Sequence, residues 1–272
     1  MKHLRVVTAV TGMVAALMVG LTPTASSSPP GGGELDAYTA VVSPDQLREL
    51  ARQGHDVGAP QQSATGIKVD LVLTPKERDY LRARGINPQL TRVKGGQTVK
   101  EFAAAQAANG LKVWRSWDEP GGIRDQLVQT AANNPQVAKL VKIGTTIQGR
   151  DILAIKLTQG ANGIADGSRP AVLYSATQHA REWIATEVDR RLMNWYVDRW
   201  RANDPAVRSL LQTTELWFVP VANPDGYQFT FDSERLWRKN LRDINGDGEI
   251  TPGDGVDLNR NFPNHWLSLI HI

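Results

Sequence analysis

Short apolar runs alternate with helical spacing along this chain and divide it into two folded units. Residues 38–42 read as a strand. Ser43 then offers a helix N-cap and Pro44 a first helical residue, with Leu47 and Leu50 on the inward side of a short helix. Residues 67–73 alternate with the period of a strand, Thr74 and Pro75 repeat the cap signal, and Tyr80 and Leu81 supply the apolar positions of a second helix. Gly85 ends that helix, and residues 90–93 form a last strand. The order βα(β)βαβ predicts a small ferredoxin-like α+β unit. Residues 97–110, Ala-rich and polar, read as a connecting helix that could also be a processing site.

A second unit opens near Val113. Ile123, Leu127, Val128 and Ala131 mark an amphipathic helix closed by Asn133-Asn134-Pro135. Residues 140–143 and 152–157 flank Gln148-Gly149 as a hairpin. Residues 171–174 have the length and composition of a buried strand, and Ile184, Val188, Leu192 and Tyr196 follow at the spacing of one helix face. Asp204-Pro205 breaks that pattern, and residues 216–221 form another buried strand, with Pro220 marking its end or an edge. Strands alternating with helices predict an α/β fold, and no internal repeat interrupts it.

Composition changes this picture at the N-terminus. Lys2 and Arg5 precede the apolar residues 6–21, and small residues follow at 24–28, which is the layout of an export signal cleaved near Ala25 or Ser26. Pro29, Pro30 and three glycines then form a flexible linker. The chain has 272 residues and no cysteine, so an exported protein would be held by its core and by metal rather than by disulfides. Thirty-one basic side chains against 28 acidic ones leave a net charge of +3, which argues against a nucleic-acid partner.

The candidate chemistry begins where the 171–174 strand hands over to its helix. His179 and Glu182 stand three positions apart there, and at helical spacing both could reach one ion. Zinc accepts such ligands, and the end of a strand in an α/β sheet is where ligands usually bind. On its own the pair is a weak signal, and solvated side chains on the first turn of a helix are the commoner explanation of such a match. A second loop, residues 243–254, follows a calcium-binding pattern: Asp243, Asn245 and Asp247 at the first, third and fifth places, glycine at the sixth, then Glu249, and Asp254 at the twelfth. Its alternative is a polar hairpin. Trp183 and Trp237 read as packing residues, Asp225-Gly226 as a turn, His55 as a surface loop residue, and Arg235 and Lys239 as solvated or structural.

Four blocks occur in order: His179-Ala180-Arg181-Glu182, Asn223-Pro224-Asp225-Gly226-Tyr227, Arg235-Leu236-Trp237-Arg238-Lys239, and Gly255-Val256-Asp257-Leu258-Asn259-Arg260-Asn261. In these the sequence resembles the zinc metallocarboxypeptidases of the carboxypeptidase A type, the M14 peptidases, across residues 113–266. The resemblance implies a mixed-sheet α/β/α domain that removes C-terminal amino acids from peptides and proteins. It implies His179 and Glu182 as zinc ligands, Arg238 as the group that steadies the oxyanion, and Arg181, Asn259 and Arg260 as substrate contacts, with Asn259 and Arg260 on the terminal carboxylate. Carboxypeptidase A is itself the reference example of a His₂Glu zinc site with a water in the open position. The chemistry agrees, because a guanidinium fork binds a carboxylate bidentately and a free carboxylate distinguishes a chain end from its middle.

The full expectation is a signal peptide at 1–26, a linker at 27–35, an inhibitory prosegment-like unit at 36–95, a connector at 96–112, the N-terminal part of the catalytic domain at 113–266, and a non-family tail at 267–272. The protein would be secreted, monomeric and free of the membrane after signal cleavage. Its partners would be a peptide or protein with a free C-terminus and its own prosegment. The family's third zinc ligand and general-base Glu fall beyond Ile272, and neither His265 nor His271 occupies a ligand position. The chain is therefore expected to be truncated, short of strands, inactive and a poor zinc binder. Competing readings are a related zinc amidohydrolase or deacylase, and a non-catalytic carboxylate-binding module.

Overall fold

The computed structural model describes residues 34–58, 60–108 and 114–262. The export signal, most of the linker, part of the connector, His265, His271 and the tail lie outside the described residues.

The first unit is built on two strand-to-helix junctions of the same design. Strand β1 (Asp36–Val42) runs into α1 (Pro44–Arg52), where the Ser43 hydroxyl accepts from the Gln46 amide and the Gln46 side chain accepts from the Ser43 amide. Strands β2 (Gln61–Ser63) and β3 (Gly66–Leu73) lead to α2 (Pro75–Arg82), with the same reciprocal cap between Thr74 and Glu77. Two orphan amides are satisfied at each helix start, and the proline fixes the first turn. A short β4 (Gln89–Leu90) closes the antiparallel order β2-β3-β1-β4. Of the four residues expected for that last strand, 90–93, only Leu90 pairs in it; Arg92 makes an isolated bridge to Thr98. Tyr38, Ala40 and Val42 alternate inward from β1, Val69, Leu71 and Leu73 from β3, and both rows meet Leu50 and Leu81 of the helices. The element order of this unit is βαββαβ.

Helix α3 (Val99–Ala108) leads to the second unit. There α4 (Ile123–Asn133) precedes the antiparallel hairpin of β5 (Ala138–Thr145) and β6 (Asp151–Leu157). After it come β7 (Ala171–Ser175), α5 (Trp183–Arg201), α6 (Pro205–Thr213), β8 (Glu215–Val219) and α7 (Pro224–Asp232). The sheet runs β5-β6-β8-β7, antiparallel except for the parallel pair β7 and β8, so it is the mixed sheet of an α/β unit. One core spans it, from Trp117, Ile123 and Leu127 through Ile155, Leu157 and Phe218 to Met193, Val197 and Tyr227. No described helix is long and apolar enough to cross a membrane.

Two expectations are corrected. The 171–174 run is a strand but not a buried one: β7 ends the sheet among the described residues, and Leu173 is 66% exposed. Helix α5 buries only the second half of the predicted stripe: Leu192 and Tyr196 pack against the core, but the first half does not. Ile184 and Val188 are 64% and 60% exposed, while Trp183, Thr186, Glu187, Asp189, Met193, Val197 and Trp200 face inward. Polar residues hold that inward face because several have partners. The Thr186 hydroxyl meets that of Thr177 at 2.6 Å, and Glu187 accepts from Arg190 and Arg191.

Asp189 lacks that support. It is 6% exposed, its Oδ2 has no hydrogen-bond partner, and burial pushes its carboxyl up to about 7 from an ordinary 3.8. Between those two values the unfolded chain gives up a proton that the folded chain retains, so stability falls as pH rises through this window and levels off above it. Asp189→Asn should remove that slope and add about 2–4 kcal/mol on the alkaline side. Urea denaturation of both proteins across the window checks this, and parallel pH profiles would refute it.

Candidate metal and carboxylate-binding site

The site is assembled where β7 and β8 end side by side. Beyond β7 the chain makes a loop in which Thr177 takes a left-handed backbone (φ 52°), a strained conformation for a β-branched residue. The loop closes through the Glu182 amide donating to the His179 carbonyl at 3.2 Å, and Glu182 is the cap residue of α5. His179 and Glu182 therefore share a turn before the helix rather than its first helical turn, and they still converge, with Nδ1 and Oε1 2.8 Å apart.

Beyond β8, the Asn-Pro-Asp-Gly-Tyr block opens α7 and braces this loop. The Asn223 side chain accepts from the Gly226 amide and donates to the carbonyls of Gln178 and Lys239. Gly226 is required by close approach: a Cβ there would stand 2.4 Å from the Lys239 carbonyl oxygen and 3.0 Å from Ala180. Asp225 is buried in the first turn of α7, not in a free turn. It accepts from the Thr146 hydroxyl, the Gln148 amide and Arg150, fixing the β5–β6 hairpin to the helix. The Ala180 amide donates to the Arg238 carbonyl, which joins the third block to the first.

The fourth block supplies a residue that sequence reasoning left without a role. Asp257 caps a 3-10 turn (Leu258–Arg260), accepts from Arg238 Nε at 2.8 Å, and places Oδ1 3.4 Å from His179 Nε2. At that length the ring nitrogen has no hydrogen bond, but the contact is electrostatic. Burial alone would raise Asp257, yet His179 and Arg238 override it and hold the carboxyl well below its usual range. Burial would lower His179, but Asp257 and Glu182 outweigh it and raise the imidazole. Glu182 is held low against its own burial by His179 and the two nearby arginines. An imidazole with one carboxylate at Nδ1 and another behind Nε2 is an arrangement that zinc sites use, the rear carboxylate fixing the ring. His179 and Glu182 thus fit as two donors to a zinc ion.

Arg181 and Arg238 converge on one carboxylate, that of Asp56 from the loop after α1. Asp56 pairs with Arg181, and its other oxygen is 3.0 Å from Arg238 Nη1. Burial and the neighbouring Arg238 lower Arg181 to about 10. No local sequence signal marks Asp56, which comes from the other unit. The two units also share an apolar cluster in which Leu35, Val72 and Val99 meet Ala180, Leu236, Trp237 and Leu241. Asn259 and Arg260 follow Asp257 but point outward, and Arg260 donates to the Asn259 carbonyl.

Other singled-out residues have structural partners. Arg235 is half-buried against Trp183, and Lys239 donates to the Pro252 carbonyl. His55 lines a cavity of about 430 Å³ with Gln53, Lys76, Glu77 and Tyr80, and burial lowers its imidazole. In the 243–254 loop, both Asp243 oxygens accept from the Gly246 and Gly248 amides, Asp247 from Glu249, and buried Asp254 from Ile244 and Thr251. Those carboxylates face their own backbone. Among the described residues no group of three or more His, Cys, Asp or Glu is placed to hold a metal, so the geometry gives calcium no support.

A family model described as zinc carboxypeptidase matches residues 123–270. A zinc carboxypeptidase of Saccharothrix mutabilis subsp. capreolus is 29% identical over 97% of the chain and 60% of its own length. The metallocarboxypeptidase A of Trichophyton rubrum is 36% identical over 82% of the chain and 53% of its own length. The crystal structure of carboxypeptidase A from Helicoverpa armigera is similar at a TM-score of 0.62 and 26% identity, covering 86% of this chain and 59% of that one. The chain thus spans a little over half the length of these relatives.

Proposed function

Because the chain belongs to the zinc carboxypeptidase family, we propose that its second unit is part of a secreted, monomeric metallopeptidase that removes C-terminal residues from peptides and proteins. The observation that carries this reading is the convergence of Arg181 and Arg238 on a single carboxylate beside the His179–Glu182 pair. A substrate's chain end brings such a carboxylate, and two guanidinium groups recognise it by charge and by shape. When bound, zinc supplies Lewis acidity to the scissile carbonyl and to water. His179 and Glu182 would hold the metal, and Asp257 would keep the imidazole from turning. Arg181 and Arg238 draw in the substrate's terminal carboxylate, Asn259 and Arg260 then add to the grip on it, and Arg238, oriented by Asp257, is left to steady negative charge as it develops on the carbonyl oxygen.

The first unit acts as a built-in competitor. Asp56 occupies the two arginines as a substrate carboxylate would, which is the behaviour expected of an inhibitory prosegment.

The test is calorimetric titration of the full chain, with zinc, against one short peptide carrying either a free or an amidated C-terminus. The free acid should bind about ten-fold or more tightly, as loss of a charge-assisted pair implies. Arg238→Gln should shrink the difference. Equal binding of the two peptides would overturn the peptidase reading and favour a zinc amidohydrolase that ignores the chain end.

A further inference from the structure

Arg235 is a half-buried cation that nothing above uses. Its guanidinium carbon lies 3.6 Å from the centre of the Trp183 ring, whose plane is also stacked on Phe231 at 4.0 Å between centroids. The Trp183 indole N–H donates to the Thr230 hydroxyl at 2.7 Å, so the ring cannot turn. Arg235 Nη1 donates to the Arg181 carbonyl at 3.1 Å, while Arg181 Nη1 donates back to the Leu236 carbonyl at 3.2 Å. Arg235 Nε is buried without a partner. None of the ion pairs formed by the described residues includes Arg235, and burial lowers it to about 10. A cation kept half-buried without a carboxylate is costly, and its one hydrogen bond lands on the residue midway between His179 and Glu182.

We propose that Arg235 is a positioning residue: pinned flat on Trp183, it clamps the Arg181 carbonyl and so fixes the turn that presents His179 and Glu182. The clamp needs the planar fork rather than the charge. A guanidinium can stack on the ring with one face and donate from its edge to the turn, whereas an ammonium on a flexible stem cannot do both. Two crossed hydrogen bonds, one from each segment to the other's carbonyl, then tie the metal-ligand turn to the Arg-Leu-Trp-Arg segment. This rests on the family reading only for its consequence toward zinc; the clamp itself stands on the geometry.

The experiment is hydrogen–deuterium exchange on the full chain, comparing wild type, Arg235→Met and Arg235→Lys, with zinc affinity measured in parallel by competition against a chelator. Amide exchange across residues 180–183 should rise about ten-fold or more in both variants while the sheet strands keep their protection. Zinc affinity should fall about ten-fold or more, as for loss of an orienting group behind a ligand. If the turn loosens while the wild-type chain takes up no zinc, the clamp holds and two protein donors are too few to retain the metal. Unchanged exchange in Arg235→Met would overturn the proposal. So would a lysine variant indistinguishable from wild type, because charge alone would then suffice. Loss of protection spread evenly over the chain in both variants would assign Arg235 to general packing and overturn it as well.

Discussion

Replacing Asp56 with alanine is expected to raise the affinity of the full chain for a peptide with a free C-terminus by about 10²-fold. A ligand that needs Arg181 and Arg238 must first displace Asp56, so its apparent affinity is reduced by the fraction of molecules already open. All three partners are largely shielded from water, with side chains 12–22% exposed, so their attraction is screened far less than that of a surface pair. Hydrogen bonds to charged groups contribute about 1.5–3 kcal/mol each, and an opening cost near the upper value corresponds to the stated factor. Asp56→Asn should give a smaller gain, since the amide can still accept from one arginine. Titration with the free-acid peptide measures both; an alanine variant that binds no better than wild type would show that the first unit does not compete for these arginines.

Trp237→Ala should destabilise the chain by about 3–5 kcal/mol, the cost of emptying a buried indole site. The ring is 2% exposed, meets Phe229 edge to face at 5.2 Å, and donates to the Asn240 carbonyl at 3.3 Å. It also lies under Gly255, where an added Cβ would come within 3.1 Å of the ring and 2.4 Å of the Asn240 carbonyl oxygen, at a backbone φ of 78° that only glycine takes without strain. Such a crowded site cannot collapse around the missing ring. Trp237 stands between Leu236, whose carbonyl holds Arg181, and Arg238, which holds Asp257 and Asp56. The loss should therefore also weaken docking of the first unit. Urea-induced unfolding followed by circular dichroism measures the change, and a loss below about 1 kcal/mol would contradict this account.

What the sequence made legible was local. Ser43-Pro44 and Thr74-Pro75 start their helices where a hydroxyl followed by proline says they should, because a cap is decided within four residues. Gln148-Gly149 closes its hairpin for the same reason. His179 and Glu182 meet because one tight turn contains both. The contacts that escaped are long-range. Asp56 reaches arginines in the other unit, and no periodicity reports that. Asp257 was visible as an acid two places before Asn259, but its value lies in touching His179 and Arg238 together. The first half of α5's inward face, at Ile184 and Val188, was misjudged because apolar spacing assumes that apolar residues are covered. Here, among the described residues, the sheet ends at β7, and the helix instead turns Thr186, Glu187 and Asp189 inward, two of them to partners that the fold supplies.

That terminal strand has a practical side. Among the described residues, a row of backbone N–H and C=O groups along β7 lacks a neighbouring strand, flanked by the exposed side chains of Val172 and Leu173 and by Ile184 and Val188 nearby in sequence. A greasy ribbon of this kind is a template on which further polypeptide can zip. Raising the concentration should therefore promote association of this chain, and a lysine placed at Leu173 should oppose it.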